Sequence, residues 1–572
     1  MELTNMNKTI FITIMMLLLV SCMDLDEYPI GKVAPESYFQ SEKDVEGFVQ
    51  GLYANLAQSR SLFACDLYTD LLSDEYDVSA DNFRPYRFLL NQYEHGPADF
   101  LQEDSDGGYW VASYAQINHA NIIILNVSEM ISLVEERRLA YVAEARFVRA
   151  LIYFHMIRRH GDIPFYIEPL ADPRDAKVVT RTSAEEIYQY IIGDLKICLG
   201  DLPDQNAFTT SQGVSMRTRP TRGSALALLA RIHLTLATYN EIYADAYDYR
   251  TIDQGLINSL ADGFSSHWAA AAYYALEVIN NRSSFGYELE DDFQNLFNGE
   301  KGDSKEFIFS VDFSGNVQGG GVAGQTYDGW RNNNDNVAAY RKPVEVGGWG
   351  AMGGTMHLFE LFHWGDYRRD VSFDITLNLW EEAPVYNEMT GKAEGTILDS
   401  YHYSQIEAYP YPYSAKWTRF LGEVGEWPTG HLSSYNIPDM RYAEVLLIAA
   451  EALNEMGQTA EAIAYLNKLR ARARKRSMNP DDDSNYPVDL SVSMNQKEAY
   501  EAIWNEWSME LCFEWERWFN LIRRDSLVAV ISRHVPFVTQ KPVTNIQPYH
   551  RFLPIPQFEF AVTEGLVQNK GY

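Results

Sequence analysis

A cysteine near the start of the chain has the surroundings of a lipid attachment site. Lys8 precedes an unbroken apolar stretch, Thr9–Val20, and the small residue Ser21 stands directly before Cys22. About a dozen apolar residues are too few to cross a bilayer, which needs about 20, but they have the length of a secretory signal. Apolar stretch, small residue and cysteine in this order resemble a bacterial lipobox, whose cysteine sulfur is acylated. We therefore predict a signal peptide over residues 1–21 and lipidation of Cys22.

The residues that follow Cys22 indicate where the anchored chain is placed. The stretch Met23–Glu27 is acidic and resembles the signal that sends lipoproteins of Bacteroidetes-type bacteria to the outer face of the outer membrane. Two or more acyl chains attach a protein stably where one would be marginal. We therefore predict that the acylated Cys22 inserts into outer-membrane lipid and that the protein faces the cell exterior. The alternative is an ordinary signal peptide with an incidental cysteine.

Aromatic side chains mark a second region that could do chemistry. They make up 13% of the chain, with 37 Tyr and 12 Trp, which suits a protein that stacks flat rings on ligands, although many of them could pack in a core. The segment 315–354 is rich in Gly and Asn and has few residues for a periodic helix face. A loop of that length is usually either functional or disordered. Trp330, Trp349 and Trp364 in and around it favour function.

Other kinds of site chemistry have little support in the sequence. Cys65, Cys198 and Cys512 are far apart with no CxxC spacing, so we predict buried thiols and no zinc or disulfide framework. There is no HExxH, GxSxG or glycine-rich phosphate loop. The stretch Asp481–Asn485 resembles the start of a calcium loop but lacks its later glycine and glutamate, and we predict a solvated turn. We predict no cofactor and no metal site.

The charge of the chain limits its partners. The formal net charge is −32, so nucleic acid would be repelled and a polyanionic ligand would need a local basic patch. Apolar residues make up 46% of the chain, which is typical of a globular protein. A neutral ligand and no nucleic-acid partner are therefore predicted.

Helical periodicity predicts about four antiparallel helix pairs with small residues at their crossings. The third pair has alanine-rich helices on both sides of Gly457, which matches the tetratricopeptide pattern. Long insertions separate the pairs, so we predict one irregular helical domain and no regular solenoid. The pairs cover 110–160, Pro220–Leu236 with His267–Ile279, Pro438–Leu469, and Lys497–Arg524.

The middle of the chain differs in character from both ends. Residues 283–435 are rich in Gly, Asn and aromatic residues and contain strand-like runs such as Glu306–Phe313. The predicted fold is therefore mainly α: tetratricopeptide-like helix pairs with a loop-rich, partly β ligand-binding region. We place an N-terminal helical part at 22–282, the loop-rich insertion at 283–435 and a C-terminal helical part at 436–572.

Short motifs along nearly the whole chain resemble the SusD/RagB family. One of them, Glu510–Arg523, is similar to the family's EL-FEG-RWFDLIR helix, with Trp515 where glycine is usual and Asn520 where aspartate is usual. The other motifs occur in the order expected for the family. They are Pro35–Phe39, Glu144–Phe154 with Gly161–Phe165, Arg222–Arg231, Tyr442–Ala452, Leu553–Gln557 and Gln568–Tyr572.

The resemblance implies a role at the cell surface. Members of this family act as the lid of a TonB-dependent, SusC-like outer-membrane channel and hand it a glycan or, in the RagB branch, a peptide. They are not enzymes. The ligand loops are the most divergent part of the family, so the resemblance names neither the glycan nor the channel.

The resemblance also indicates which residues bind the ligand, since family members assemble a shallow site from an N-terminal and a mid-chain loop. The matching regions here are 74–93 and the Gly-rich segment after Phe313. An exposed aromatic ring covers the C–H face of a sugar, while polar side chains satisfy its hydroxyls. The predicted ring platforms are Trp330, Tyr327, Trp349, Tyr340, Tyr76 and Tyr86, and the predicted polar partners are Arg331, Asn332, Asp81 and Asn82. For each aromatic the alternative is buried packing.

Three other functions remain open on sequence grounds. The same fold could bind peptides, although Trp beside Gly-rich loops favours sugar. A glycoside hydrolase would need a concave site with paired carboxylates, which a helical framework of this kind does not obviously offer. A scaffold whose helix pairs bind only other proteins would bind no small ligand.

Overall fold

A computed structural model describes residues 39–56, 67–78, 85–99, 108–170, 180–205, 217–297, 304–311, 352–363, 365–374, 376–380, 385–387, 392–394, 397–402, 412–414, 416, 436–474 and 486–572. The chain divides into two units, Met1–Asp44 and Val45–Tyr572. Of the first unit only residues 39–44 are described, and they include the start of the first helix. The second unit contains the elements that follow.

The N-terminal elements are short apart from the first helix. Helix α1 carries acidic residues in its first turn and buries apolar residues at helical spacing along one face. The elements are α1 (Glu42–Leu56), α2 (Leu67–Leu71), β1 (Tyr76–Val78) and α3 (Pro85–Asn91).

Long helices form the bulk of the protein, each packed against the next. The packing order is α4, α5, α6, α7, α10 and α14, and α14 then contacts both α15 and α16. Alanines let the helices approach closely: Ala270, Ala271 and Ala275 of α10 are fully buried in this stack. The helices are α4 (Gly108–Ser128), α5 (Glu135–His160), α6 (Ala184–Asp201), α7 (Arg222–Leu236), α8 (Tyr239–Ile242), α9 (Gln254–Ser259), α10 (His267–Asn280), α11 (Arg282–Phe285), α12 (Met356–Leu361), α13 (Tyr367–Ser372), α14 (Tyr442–Glu455), α15 (Thr459–Ala473) and α16 (Gln496–Leu511).

Short strands form antiparallel pairs between and beside the helices. The pairs are β1 with β3, β2 with β10, β4 with β9, β5 with β8, and β6 with β7. The pair of β2 and β10 lies in the core, where Phe307 and Ile308 are almost fully buried. The strands after β1 are β2 (Phe307–Val311), β3 (Met352–Gly354), β4 (Phe373–Asp374), β5 (Thr376–Trp380), β6 (Val385–Asn387), β7 (Lys392–Glu394), β8 (Ile397–His402), β9 (Tyr413–Ser414) and β10 (Ile437–Arg441).

Helix α16 ends at Leu511, and a sharp turn separates it from the helices of the C-terminal part. Phe513 and Trp515 have φ angles of 63° and 69° in this turn, a backbone region that favours glycine. Trp515 occupies the position where the related motif has glycine, so this chain holds a bulky residue in the conformation that glycine adopts easily. The helices after the turn are α17 (Arg517–Arg523), α18 (Leu527–Ile531) and α19 (Glu559–Val562).

The mainly α prediction and its helix pairs are confirmed, with two differences. Helix α6 was not predicted, although Ser183 caps its N-terminus by accepting a hydrogen bond from the Glu186 amide. Placing a helix start at Pro438 was wrong, because that residue lies in β10 opposite Ser310 and α14 begins only at Tyr442. Pairing with β2 keeps this stretch extended, and a two-stranded sheet tolerates proline.

Cys198 and Cys512 are free and buried, as predicted, whereas Cys65 lies outside the described residues. Among the residues that the structure describes, no helix is long and apolar enough to cross a membrane. The division at 282 and 435 stays a prediction.

Candidate functional site

Most of the predicted ligand-binding residues lie where the structure gives no description. Tyr76 lies in β1, and Tyr86 lies in α3, of which only the backbone is described at this position. Cys22, the predicted acylation site, also lies outside the described residues. The same holds for Trp330, Tyr327, Trp349, Tyr340, Arg331, Asn332, Asp81 and Asn82.

One strand pair joins the two parts of the chain in which these residues occur. Tyr76 of β1 lies opposite Gly354 of β3, and Val78 lies opposite Met352. The N-terminal candidate region, 74–93, and the mid-chain segment, 315–354, therefore meet at this pair. We call residues 74–78 and 352–355 the loop anchor.

Hydrogen bonds of Thr355 join the two parts of the loop anchor to each other and to the helix that follows. The Thr355 amide donates to the carbonyl oxygen of Glu75 at 3.0 Å, and the Thr355 hydroxyl donates to the carbonyl oxygen of Asp74 at 2.7 Å. The same hydroxyl oxygen accepts a hydrogen bond from the Leu358 amide and so caps α12. One threonine therefore connects both halves of the anchor to a helix.

The close approach of two phenylalanines requires glycine at position 354. A Cβ atom there would lie 2.7 Å from Cε1 of Phe373 and 2.9 Å from Cζ of Phe513. Tyr76, opposite this glycine, is 3% exposed, and its ring centroid lies 4.7 Å from that of Phe513. Tyr76 is therefore a packing residue in this structure and does not present an exposed platform for a ligand.

An ion pair holds the start of the loop anchor to the C-terminal part. Arg517 donates two hydrogen bonds to the Asp74 carboxylate, from Nε at 2.7 Å and from Nη2 at 2.8 Å. Burial alone would raise the pKa of Asp74, but the Arg517 guanidinium outweighs this and lowers that pKa. Asp74 is therefore held as a buried carboxylate with its own counter-ion.

Within the part of the chain that the structure describes, the next two acidic residues, Glu75 and Asp77, make no ion pair like that of Asp74. Burial raises the pKa of Glu75 to about 8, although Arg517 opposes the effect. Burial also raises the pKa of Asp77 to about 7, against the hydrogen bonds that its carboxyl accepts from the Phe537 and Val78 amides. The anchor therefore contains two carboxyl groups that are favoured in their neutral forms.

Replacing Glu75 by glutamine is expected to raise the melting temperature at pH 8 and to change it little at pH 5. The folded-state pKa is raised, so the stability that the protonated group contributes is present below about pH 4.5 and is lost as the pH rises towards about 8. Glutamine stays neutral and avoids this loss, a gain of more than about 1 kcal/mol between the two pH values. The exposed Glu135→Gln is the control in thermal unfolding, and equal shifts at both pH values would contradict the prediction.

Three residues beside the loop anchor, His357, Arg517 and Trp504, were not predicted from the sequence. His357 of α12 is exposed, with Nε2 at 3.8 Å from the Asp74 carboxylate. The Arg517 guanidinium lies 4.4 Å from the ring centroid of Trp504, a partly exposed residue of α16. For Trp504 the sequence does carry a signal. Tyr500 and Trp504 are four residues apart, a spacing that places two aromatic rings on one face of a helix.

Neither the internal cavity nor the acidic and histidine side chains of the described residues indicate a further ligand or metal site. A cavity of about 20 Å³ among Arg158, Arg231 and Glu516 has room for about one water molecule. Within the described ranges no group of three His, Cys, Asp or Glu residues is placed to hold a metal ion. The stretch Asp481–Asn485 lies outside those ranges.

Curated relatives resemble this chain over most of its length. A SusD-like protein, P2, from Formosa agariphila is 32% identical over 522 residues, covering 89% of each chain. SusD-like protein P25 from the same organism is 27% identical over 610 residues, covering 98% of this chain and 99% of the relative.

Solved structures share the fold at lower identity. A SusD homologue from Bacteroides thetaiotaomicron superposes with a TM-score of 0.69 at 22% identity, covering 94% of this chain and 98% of that one. Surface glycan-binding protein A from the same organism, in complex with laminarihexaose, gives a TM-score of 0.66 at 18% identity, covering 92% and 99%.

Two family profiles match the chain in succession. The profile described as "Starch-binding associating with outer membrane" covers residues 25–234, and the profile of the SusD family covers residues 305–572. Together with the relative that is 32% identical over 89% of the chain, these matches establish what the motifs and the fold indicate. The chain belongs to the SusD family.

Proposed function

We propose that this protein is a lipid-anchored lipoprotein on the exterior of the outer membrane that binds a glycan and delivers it to a TonB-dependent, SusC-like channel. The lipobox at Cys22 and the acidic residues after it support the anchor. The description of the matched N-terminal family, starch-binding and associated with the outer membrane, supports both the ligand class and the location. The protein binds its ligand without chemical conversion.

The pairing of β1 with β3 is the observation that carries the binding site. Asp81 and Trp349 are each three residues along the chain from the pair formed by Val78 and Met352. Three residues span at most about 11 Å, so along the chain both candidate loops begin within that distance of one strand pair. We therefore place the glycan over the loop anchor, with Trp330 as its main ring platform.

The relatives favour a glycan over a peptide. A laminarin-binding SusD-like protein shares the fold with a TM-score of 0.66, as does the glycan-binding protein in complex with laminarihexaose. A net charge of −32 further favours a neutral polysaccharide over an acidic one. A shallow aromatic platform buries little area, so the affinity is modest.

Trp330→Ala is expected to abolish binding to the polysaccharide that the wild type recognises, because the sugar loses the ring that covers its C–H face. The measurement is affinity electrophoresis of the chain lacking residues 1–22 in gels with laminarin, amylopectin, xyloglucan, galactomannan and alginate. Tyr273→Ala is the control, because Tyr273 is an exposed aromatic on α10, away from the loop anchor in sequence.

The outcomes separate the possible functions. Retardation by a polysaccharide that Trp330→Ala loses and Tyr273→Ala keeps supports both the function and the site. A wild type that runs freely in every gel would refute glycan binding, and retention of peptides on an array would then favour the peptide-binding alternative. Release of reducing sugar by the pure chain would make it a hydrolase.

A further inference from the structure

Helix α16 carries two aromatic side chains that face outward beside the loop anchor. Tyr500 and Trp504 are four residues apart and therefore lie on one face of the helix, about 6 Å apart along its axis. Tyr500 is 37% exposed, and Trp504 is partly exposed. Most large aromatic residues of the C-terminal helices, such as Trp507 and Trp518, are buried instead.

Buried guanidinium groups support the two rings from inside the protein. The Arg524 Cζ atom lies 4.1 Å from the ring centroid of Tyr500 and 5.5 Å from that of Trp504, and the Arg517 Cζ atom lies 4.4 Å from Trp504. The two arginine side chains are only 4% and 5% exposed. Each ring therefore packs against a buried cation and keeps part of its own area exposed.

Acidic partners hold these arginines in place. Arg524 pairs with Glu451 at 2.9 Å, and Arg517 pairs with Asp74 at 2.7 Å. A cation that is fixed over an aromatic ring also fixes the ring, since the attraction depends on their alignment. Tyr500 and Trp504 are therefore preorganised, and a ligand that stacks on them has little side-chain entropy to remove.

Polar side chains lie beside the aromatic pair on the same helix. Lys497 lies three residues before Tyr500, and Glu501 lies three residues before Trp504; both are exposed. Asn505, also exposed, follows Trp504 directly. Ammonium, carboxylate and amide groups supply donors and acceptors for hydroxyl groups. Flat rings edged by such groups fit a sugar, which has a C–H face and a rim of hydroxyls.

The aromatic pair is directly connected to the loop anchor. Arg517 contacts Trp504 with its guanidinium and bonds Asp74, the first residue of the anchor. The exposed His357 lies beside the same carboxylate. The exposed His357 and the partly exposed Trp504 are therefore linked by three short contacts through Asp74 and Arg517.

We propose that Tyr500 and Trp504 form a second sugar-binding surface, which takes a further part of the same neutral polysaccharide chain. This inference rests on the proposed function and deepens it by adding a subsite on a helix to the site on the loops. Binding of one chain at two connected surfaces raises its apparent affinity without any new kind of contact. The exposed Glu501 disfavours an acidic polymer.

Tyr500→Ala with Trp504→Ala is expected to weaken binding to the polysaccharide that retards the wild type most, among laminarin, amylopectin and xyloglucan, by about tenfold. The double variant is compared by affinity electrophoresis with Tyr273→Ala, which is expected to bind as the wild type does. Combining the double variant with Trp330→Ala is expected to remove any binding that remains.

A second pair of variants separates stacking from folding. Tyr500→Phe with Trp504→Phe keeps a ring at each position and is expected to bind within about twofold of the wild type. The double alanine variant is expected to lose affinity while it remains folded at the temperature of the binding measurement. Wild-type affinity in the double alanine variant, with loss of binding in Trp330→Ala, would overturn the second surface and leave the proposed function intact. No binding by the wild type to any polysaccharide would overturn both.

Discussion

Replacing Arg441 by methionine is expected to destabilise the folded protein by about 3–5 kcal/mol. All five N–H groups of its guanidinium are used. Nε and Nη2 donate to the Glu514 carboxylate at 2.6 and 2.8 Å, and Nη1 donates to Glu306 at 2.5 Å and to Glu510 at 3.0 Å. The fifth hydrogen bond goes from Nη2 to the backbone carbonyl of Glu510 at 3.0 Å. Methionine keeps the length of the side chain but makes none of these bonds.

The cost arises because the carboxylates remain buried. Glu306 and Glu510 are fully buried, and Glu514 is 8% exposed. Burial alone would raise the pKa of Glu510, but the nearby arginines, Arg472 and Arg441 foremost, hold that pKa well below its usual range. Removing one cation leaves more buried negative charge than the remaining cations, Arg472 and Arg368 among them, neutralise. An uncompensated buried charge costs far more than a surface ion pair gains.

Urea denaturation of Arg441→Met measures this effect against a matched surface variant. Arg222 pairs with Asp204 at 2.8 Å, but the two side chains are 40% and 42% exposed, so Arg222→Met is expected to cost less than about 1 kcal/mol. Because globular proteins are stable by only about 5–15 kcal/mol, the Arg441 variant should unfold at a much lower urea concentration. If the two variants lose the same free energy of unfolding, the buried charge network contributes no more stability than a surface ion pair.

The sequence predicted the helices well where one apolar face repeats. The pairs α4 with α5, α7 with α10, and α14 with α15 follow from periodicity and small residues, which are local properties of the chain. Helix α6 shows the same spacing and a serine cap, so it could have been predicted from the same signals. For the pair predicted over Lys497–Arg524 the position of the turn was not predicted, because Trp515 stands where glycine would have indicated it.

The loop anchor and the charge network could not be predicted from the sequence. Val78 and Met352 pair across almost half of the chain, and no local pattern indicates that β1 and β3 are partners. Arg441 likewise meets Glu306 only because β10 lies beside β2. The same is true of Tyr76 at the candidate site. From the sequence alone, an aromatic residue near a loop is expected to bind ligand, and only the structure shows that this one is buried. Long-range packing decides such cases.

Arg517→Met is expected to cost about 3–5 kcal/mol of stability and to weaken polysaccharide binding at least tenfold. Arg517 is the counter-ion of the buried Asp74 and also lies against Trp504. Its loss leaves Asp74 buried with weaker partners, which include His357 at 3.8 Å and His534. Because Asp74 begins the loop anchor, we expect the base of both proposed ligand loops to shift.

A double-mutant cycle with Asp74→Asn tests whether the ion pair itself is responsible. The variant carrying both changes has no buried unpaired charge, so it is expected to recover part of the stability, with a coupling energy of about 2–3 kcal/mol. Binding is measured by affinity electrophoresis well below each melting temperature, which separates ligand recognition from unfolding. If Arg517→Met loses stability but binds the polysaccharide as the wild type does, the loop anchor does not position the ligand. If binding and stability recover together in the double variant, the ion pair connects the helical core to the ligand site.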